Sequence, residues 1–153
     1  MNKQPNSRMC FACGLQNPAG LQGAFYTLED GTVMGKFTAR EEHQGYPGIV
    51  HGGVITAMLD EVIARAGMGD GETWGVTVSI EVRFRHKVPV GEPLTIIGQL
   101  THQTSRLYEG KGELQLGDGT LAAEATARYY KISLGDIPDI DVEQLFWQVV
   151  PDP

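Results

Sequence analysis

An α+β fold, with one long helix laid against an antiparallel sheet, is predicted for this chain by three features of its sequence. Residues 51–67 carry the one apolar helical stripe long enough to cover a sheet. Strand-like segments both precede and follow it. Two of the joints between those segments, Asp30-Gly31 and Gly117-Asp118-Gly119, have the composition of tight hairpin turns.

Taken in order, residues 1–18 form a Pro- and Gly-punctuated lead-in, residues 19–133 the folded domain, and residues 134–153 a tail. Within the domain, LQGAFYTLEDGTVMGKFTA reads as two strands around Asp30-Gly31. A loop, EEHQGYPGIV, leads to the helix, which is expected to stop near Gly67-Met68-Gly69-Asp70-Gly71. The clearest strand follows. Val76, Val78, Ile80, Val82 and Phe84 alternate with Thr77, Ser79, Glu81 and Arg83, which predicts one apolar and one polar face. PVGEPLTIIGQLTHQ, RLYEGKGELQL and TLAAEATARYYKI supply three more strands. The tail has a short apolar cluster at Phe146 and Trp147, and is expected to dock on the domain.

Composition narrows the class. A chain of 153 residues makes about one domain. The net charge of −7 argues against nucleic acid or an anionic membrane as partner, though a local basic patch could still hold a small anion. No apolar run approaches a membrane span and the N-terminus lacks a signal-peptide apolar region, so a cytoplasmic location is expected. Cys10 and Cys13 make a lone CxxC, half of a tetrahedral metal site, with no second pair or neighbouring His in the sequence. They read as reduced thiols packed in a loop, and no metal or cofactor is expected.

The helix poses the central question, because Asp60 and Glu61 stand side by side in it. At 100° per residue, Val54, Ile55, Met58, Leu59, Val62, Ile63 and Ala66 share one apolar face. Asp60 lies nearly opposite, flanked by Ala57, Ala64 and Gly67. Small residues are unusual on a solvated face, and they suit a face that a second backbone or a ligand approaches closely. Glu61 precedes Arg65 by four residues, the favourable order for a surface ion pair. Asp60 is therefore the candidate for chemistry and Glu61 the surface acid. At the helix start, His51-Gly52-Gly53 leaves free amides at the positive end of the dipole, a setting for a carbonyl that becomes an oxyanion. Yet Gly52 and Asp60 are eight residues apart, about 12 Å along the axis. One chain cannot bring both to the same carbonyl. Two helices packed through their small-residue faces about a two-fold axis could, so any active site here is expected to be shared between chains.

The segment GIVHGGVITAMLDE, with Asp nine residues after the His of His-Gly-Gly, resembles the hotdog-fold thioesterases of the phenylacetate-pathway (PaaI-like) group. CFACGLQNPAGL and GVTVSIEVRFRHKVPVGE resemble the flanking parts of that group, and the likeness runs from about residue 9 to residue 132. It implies an antiparallel sheet wrapped around one central helix, a homodimer with a sheet continuous across both subunits and often a dimer of dimers, and metal-free hydrolysis of acyl-CoA. Carried over by position, Gly52 would give the oxyanion amide and His51 would shape that turn. Asp60 of the other subunit would be base or nucleophile, and Thr77 would help place water. One departure stands out: where several members have Asn, six residues before the His, this chain has Gly45, and Gln44 and Tyr46 are the neighbours available to take over. Another group of hotdog thioesterases uses a helix Glu, which keeps Glu61 in view.

Gly53, Gln44 and Tyr46 are expected near the substrate. Arg83, Arg85, His86 and Lys87, with Arg106, are the cations available to CoA phosphates. The alternative function is a hotdog protein that binds an acyl thioester without cleaving it. A hotdog hydratase would need His and acid at other spacings.

Overall fold

The computed structural model describes residues 1–69, 71–133, 136 and 146–153. Among these residues, seven strands and one α-helix run in the order β1 (Asn2–Lys3), β2 (Ala24–Thr27), β3 (Val33–Thr38), α1 (Gly52–Ala66), β4 (Thr73–Phe84), β5 (Pro93–Gln103), β6 (Leu107–Gln115) and β7 (Leu121–Ser133). The strands make one antiparallel sheet in the order β1-β2-β3-β5-β6-β7-β4. The helix packs across one face of it. This is the hotdog arrangement. Every expected strand is present; β1 and a short 3₁₀ turn at Glu41–His43 were not foreseen, being too short to show a period.

Both expected hairpin turns form. Leu28 N donates to Thr32 O and Leu116 N to Thr120 O, and the glycines at the turn positions, Gly31 and Gly119, have φ of 83° and 85°. A side chain other than Gly rarely takes that backbone conformation, which is why the Asp-Gly pairs mark these corners.

The core is the meeting of helix and sheet. Ile55, Met58, Leu59, Val62 and Ile63 are buried against Phe25, Phe37, Leu94, Ile96, Leu114, Tyr108 and Tyr129. Each of those helix side chains contributes roughly 1.5–3 kcal/mol by leaving water. The helix sits low on the sheet because glycines lie beneath it. A Cβ at Gly98 would come 2.8 Å from Val62 O, and one at Gly110 would come 2.6 Å from Ile63 Cγ2.

The alternation in β4 does not run unbroken. A bulge between Thr77 and Ser79 leaves Val78 without a partner on β7. Beyond it, Ile80, Val82 and Phe84 pair with Ala127, Ala125 and Ala123 and face the helix side as expected. Before it the phase is reversed: Thr77 pairs with buried Tyr129 and points at the helix, while Val76 pairs with exposed Tyr130. The expectation that Val76 belongs to the apolar inner face is therefore corrected, by the one extra residue of the bulge, and Val78 is the exposed residue left unpaired there.

The lead-in is not a loose arm. It packs over the side of α1 and β2, where Asn6 bridges to Gln148; Trp147 lies tilted against Trp74 of β4, with ring planes at 51° and centroids 4.6 Å apart. Lys3 and Tyr26 both reach Asp152. Of the expected tail, residues 134, 135 and 137–145 lie outside the described residues, as does Asp70 of the expected helix stop. Among the described residues no helix is long and apolar enough to cross a membrane.

Candidate active site

Asp60 lies half-buried on the flank of α1 facing β4. Thr77 Oγ1 donates to the carboxylate, 3.0 Å from Oδ1 and 3.1 Å from Oδ2. Tyr129 Oη stands 2.9 Å from both Oδ1 and the Asp60 backbone carbonyl, so its one proton is shared between them. Burial pushes the Asp60 carboxyl above its ordinary range, opposed by the hydrogen bonds from Tyr129 and Thr77 and helped by the neighbouring Glu61 charge. Tyr129 is itself held as a neutral donor: burial, then the Asp60 charge, drives its phenol upward. Tyr108 stacks on it with centroids 4.9 Å apart and gives its own hydroxyl to Ala64 O at 2.8 Å.

The two tyrosines revise the reading of the small residues. A Cβ on Gly67 would lie 2.1 Å from the Tyr108 ring, and the Tyr108 hydroxyl reaches the Ala64 carbonyl. At Gly67 the close neighbour within the chain is thus its own Tyr108 ring, whose hydroxyl also meets the Ala64 backbone. Tyr129 was not anticipated as part of the site. Its signal was present in the period-two row Ala123, Ala125, Ala127 and Tyr129, which shares the inner face of β7, but nothing in the row says which helix residue that face meets.

At the helix start, His51 is the N-cap, and its Nδ1 accepts the Gly53 amide at 2.8 Å. This leaves the Gly52 amide without an intrahelical acceptor. Gly53, expected near the substrate, has its amide committed to the cap. Gly52 opens onto a cleft of about 320 Å³ whose wall includes Ile49, Ile55, Phe84, Arg85, His86 and Lys87. The basic run after β4 and the helix start therefore share one cleft. Arg85 is tied to Glu124 at 2.6 Å and Arg83 lies 3.8 Å from Glu81. Lys87 has no ion pair among the described residues. Arg106 is elsewhere: its carbonyl accepts from Lys131, at the other end of the sheet from residues 83–87.

Of the loop residues, Gln44 spends its side-chain oxygen on the Gly48 amide at 3.1 Å. Tyr46 is 79% exposed. Gly45 backs directly on His51, where an added Cβ would meet the His51 Cα at 3.3 Å.

Glu61 pairs with Arg65 at 2.8 Å as the spacing requires, but the pair is not on the surface. Arg65 is 2% exposed. Its guanidinium lies 3.8 Å from the Phe25 ring centroid, and Nη1 donates to Pro5 O at 2.9 Å. The lead-in covers the pair, and Glu61 turns away from Thr77 and Tyr129 towards Cys10. The expectation of a solvated pair is corrected; the sequence could not show that residues 4–10 lie across this flank.

A hollow of about 530 Å³ on the outer face of the sheet, lined by Ser79, Glu81, Glu109 and Arg128, is on the side away from Asp60. The acid and the donors that face it are all on the inner side.

A half-buried carboxylate lies on the mid-flank of a helix packed on one antiparallel sheet, and the Gly52 amide at the helix start has no intrahelical acceptor; the fold is that of the hotdog class. Residues 47–123 match the family model of the thioesterase superfamily, half the chain, and the chain belongs to that family. It is 25% identical over 109 residues to the acyl-coenzyme A thioesterase THEM4 of Mus musculus, a match that spans 71% of this chain and 46% of the mouse protein. A crystallised thioesterase superfamily protein shares 30% identity and superposes with a TM-score of 0.73, over 80% of this chain and 63% of that one. The Escherichia coli PaaI protein from the phenylacetic acid degradation operon is 17% identical, with a TM-score of 0.66 over 74% of this chain and 81% of its own, and shares the fold. The chain thus spans about half to two-thirds of the length of the first two relatives.

Proposed function

We propose that the protein is an acyl-CoA thioesterase acting at a site formed between two copies of the chain. The observation that carries this reading is Asp60: an acid raised by burial, oriented by two hydroxyls, beside a twelve-residue edge strand whose outer side has no strand partner among the described residues. That edge exposes Val76, Val78 and Phe84, each half or more accessible. Apolar side chains on a long unpaired strand suit a second copy of β4, which would extend the sheet across two subunits.

In such a dimer the thioester carbonyl lies at the Gly52 amide of one subunit, and the amide stabilises the oxyanion as the tetrahedral intermediate forms. Asp60 of the other subunit acts on the carbonyl carbon in one of two ways. As base it takes a proton from water that Thr77 helps to place; as nucleophile it forms a mixed anhydride that water then opens. Either route releases the CoA thiolate, a good leaving group, without a metal. The phosphates of CoA are met by Lys87 and His86 at the mouth of the Gly52 cleft, with Arg85 available on exchange from Glu124. A carboxyl above its usual range is a better base near neutral pH, which is what water activation needs.

A second reading is kept by one observation. Gly45 has no side chain to hold water or thioester, and Gln44 is already committed to Gly48. This favours a protein that binds acyl thioesters without cleaving them. Thiol release from a panel of aromatic and short- to medium-chain acyl-CoA esters separates the two. The proposal expects turnover with at least one ester and a loss of about 100-fold or more in Asp60→Ala, whose folding is checked by circular dichroism. Binding of acyl-CoA with no thiol release across the panel would establish the second reading, and equal turnover by Asp60→Ala would remove Asp60 from the mechanism.

A further inference from the structure

The lead-in meets the helix at a group of side chains that hydrolysis leaves unused. Residues 10–14 turn back on themselves, with Gly14 N donating to Cys10 O at 2.7 Å. The amides of Ala12 and Cys13 both point at Cys10 Sγ, the latter at 3.4 Å. Only Gly fits the end of this turn, since a Cβ at residue 14 would come 2.5 Å from Cys10 O. Both sulfurs are thereby gathered on one side. Cys13 is buried, and Cys10 is partly open to solvent.

The third member comes from α1. Glu61 Oε2 lies 4.0 Å from Cys10 Sγ, and one ligand atom from each of Cys10, Cys13 and Glu61 falls within 4.8 Å of the others. A zinc ion with Zn–S of about 2.3 Å and Zn–O of about 2.1 Å needs tetrahedral edges of about 3.5–3.8 Å. The three atoms therefore close on an ion by side-chain adjustments of about an ångström. The carboxylate is already aimed: Arg65 Nε holds Oε1 at 2.8 Å, leaving Oε2 to the sulfurs. A buried partner that fixes a ligand's orientation is the usual support of a metal site.

Charge also balances. Two thiolates and a carboxylate carry −3; a divalent cation and the Arg65 guanidinium carry +3. Arg65 is buried here, so a neutral total matters. Two thiolates with one carboxylate suit zinc, where an all-oxygen set would suit magnesium or calcium.

We propose that Cys10, Cys13 and Glu61 bind one zinc-like divalent cation, with a water as fourth ligand on the open side of Cys10. The ion ties the lead-in to the helix at the residue next to Asp60. Its role is structural, and it stands independently of whether the protein hydrolyses thioesters.

Cobalt(II) is the probe, added to the full chain after chelator treatment and with thiols reduced and counted. One equivalent should give a sulfur-to-cobalt charge-transfer band in the near ultraviolet and tetrahedral d–d bands in the visible, both erased by zinc. Cys10→Ser/Cys13→Ser should lose the bands, and Glu61→Gln, which still accepts from Arg65, should weaken binding about tenfold or more. Saturating zinc should raise the unfolding midpoint of wild type by about 5 °C and leave the double-serine chain unmoved. The proposal is overturned if fully reduced wild type gives no sulfur band at one equivalent, or if Glu61→Gln binds cobalt as tightly as wild type. Wild type and Glu61→Gln decide the matter even if the double-serine chain fails to fold.

Discussion

Asp60 is held in a low-dielectric corner, and the two hydroxyls that reach it work against that burial. The net result is a carboxyl that keeps its proton to higher pH than an exposed aspartate. If the ionised form does the work, the acid limb of kcat/KM should lie above the ordinary carboxylate value of about 4. Thr77→Ala removes one of the two bonds that favour ionisation, so it should move that limb further up while lowering the plateau. A limb that stays put, or moves down, would mean that another group titrates. Stability follows with a definite sign. The folded state binds the Asp60 proton more tightly than the unfolded chain. The stability from this group is therefore full below the unfolded pKa and lost as pH rises through the raised folded value. At neutral pH the ionised acid is a cost, so Asp60→Asn, whose side-chain oxygen still accepts from Tyr129 and Thr77, should melt higher than wild type while losing turnover. A lower melting temperature at pH 7 with no gain over wild type would contradict the burial argument. Asp60 was legible as the candidate acid because it interrupts an otherwise small-residue flank. Tyr129, 69 residues away on another strand, was not, because only the pairing of β7 with β4 brings it there.

The helix and β4 illustrate two ways that an element can depart from its pattern. Helical periodicity correctly separated Ile55, Met58, Leu59, Val62 and Ile63 from Asp60, since burial follows the 100° repeat directly. It could not say what lies over the other flank. There Tyr108 fits against Gly67, so Gly67→Ala should force the ring off its place and cost about 1–3 kcal/mol in urea unfolding. Gly67 has an ordinary right-handed backbone, with φ of −94°, so the cost is steric, and Gly67→Ala/Tyr108→Phe should not recover it whereas Gly67→Ala/Tyr108→Leu should in part. In β4, strict alternation would have sent Thr77 to the outer face. The bulge at Val78 reverses the phase and delivers the Thr77 hydroxyl to Asp60. A period-two pattern carries no mark of such an insertion, since Val76-Thr77-Val78 reads the same with or without it.

At the scale of the whole molecule, the Gly52 amide and the Asp60 carboxylate are parts of one α1 and cannot meet. Gly52→Pro tests the sharing of sites cleanly. Residue 52 is the first of the helix, and His51 before it has φ of −60° and ψ of 137°, a backbone that tolerates a following proline. The variant removes the amide and keeps the helix. Alone, Gly52→Pro and Asp60→Ala should each be nearly inactive. Mixed one to one and allowed to exchange subunits, half of the dimers pair one of each, and each mixed dimer has one intact site of two. About one quarter of wild-type activity should return. No recovery, in mixtures shown by mass spectrometry to contain mixed dimers, would place the amide and the acid in separate roles.

Local rules were enough for the existence of β2 to β7, the two Asp-Gly corners, the helix and the acid on its flank, because period, turn chemistry and capping act between near neighbours in the chain. The thioesterase likeness was equally local, resting on the run from His51 to Asp60 and now matched across residues 47–123. Tertiary structure alone decided the rest. It set Tyr129 on Asp60, buried the Glu61–Arg65 pair beneath the lead-in, and put Cys10 and Cys13 against the carboxylate of Glu61, far along the chain. Those contacts depend on strand order and on where a covering segment lies, and a sequence expresses neither as a spacing between residues.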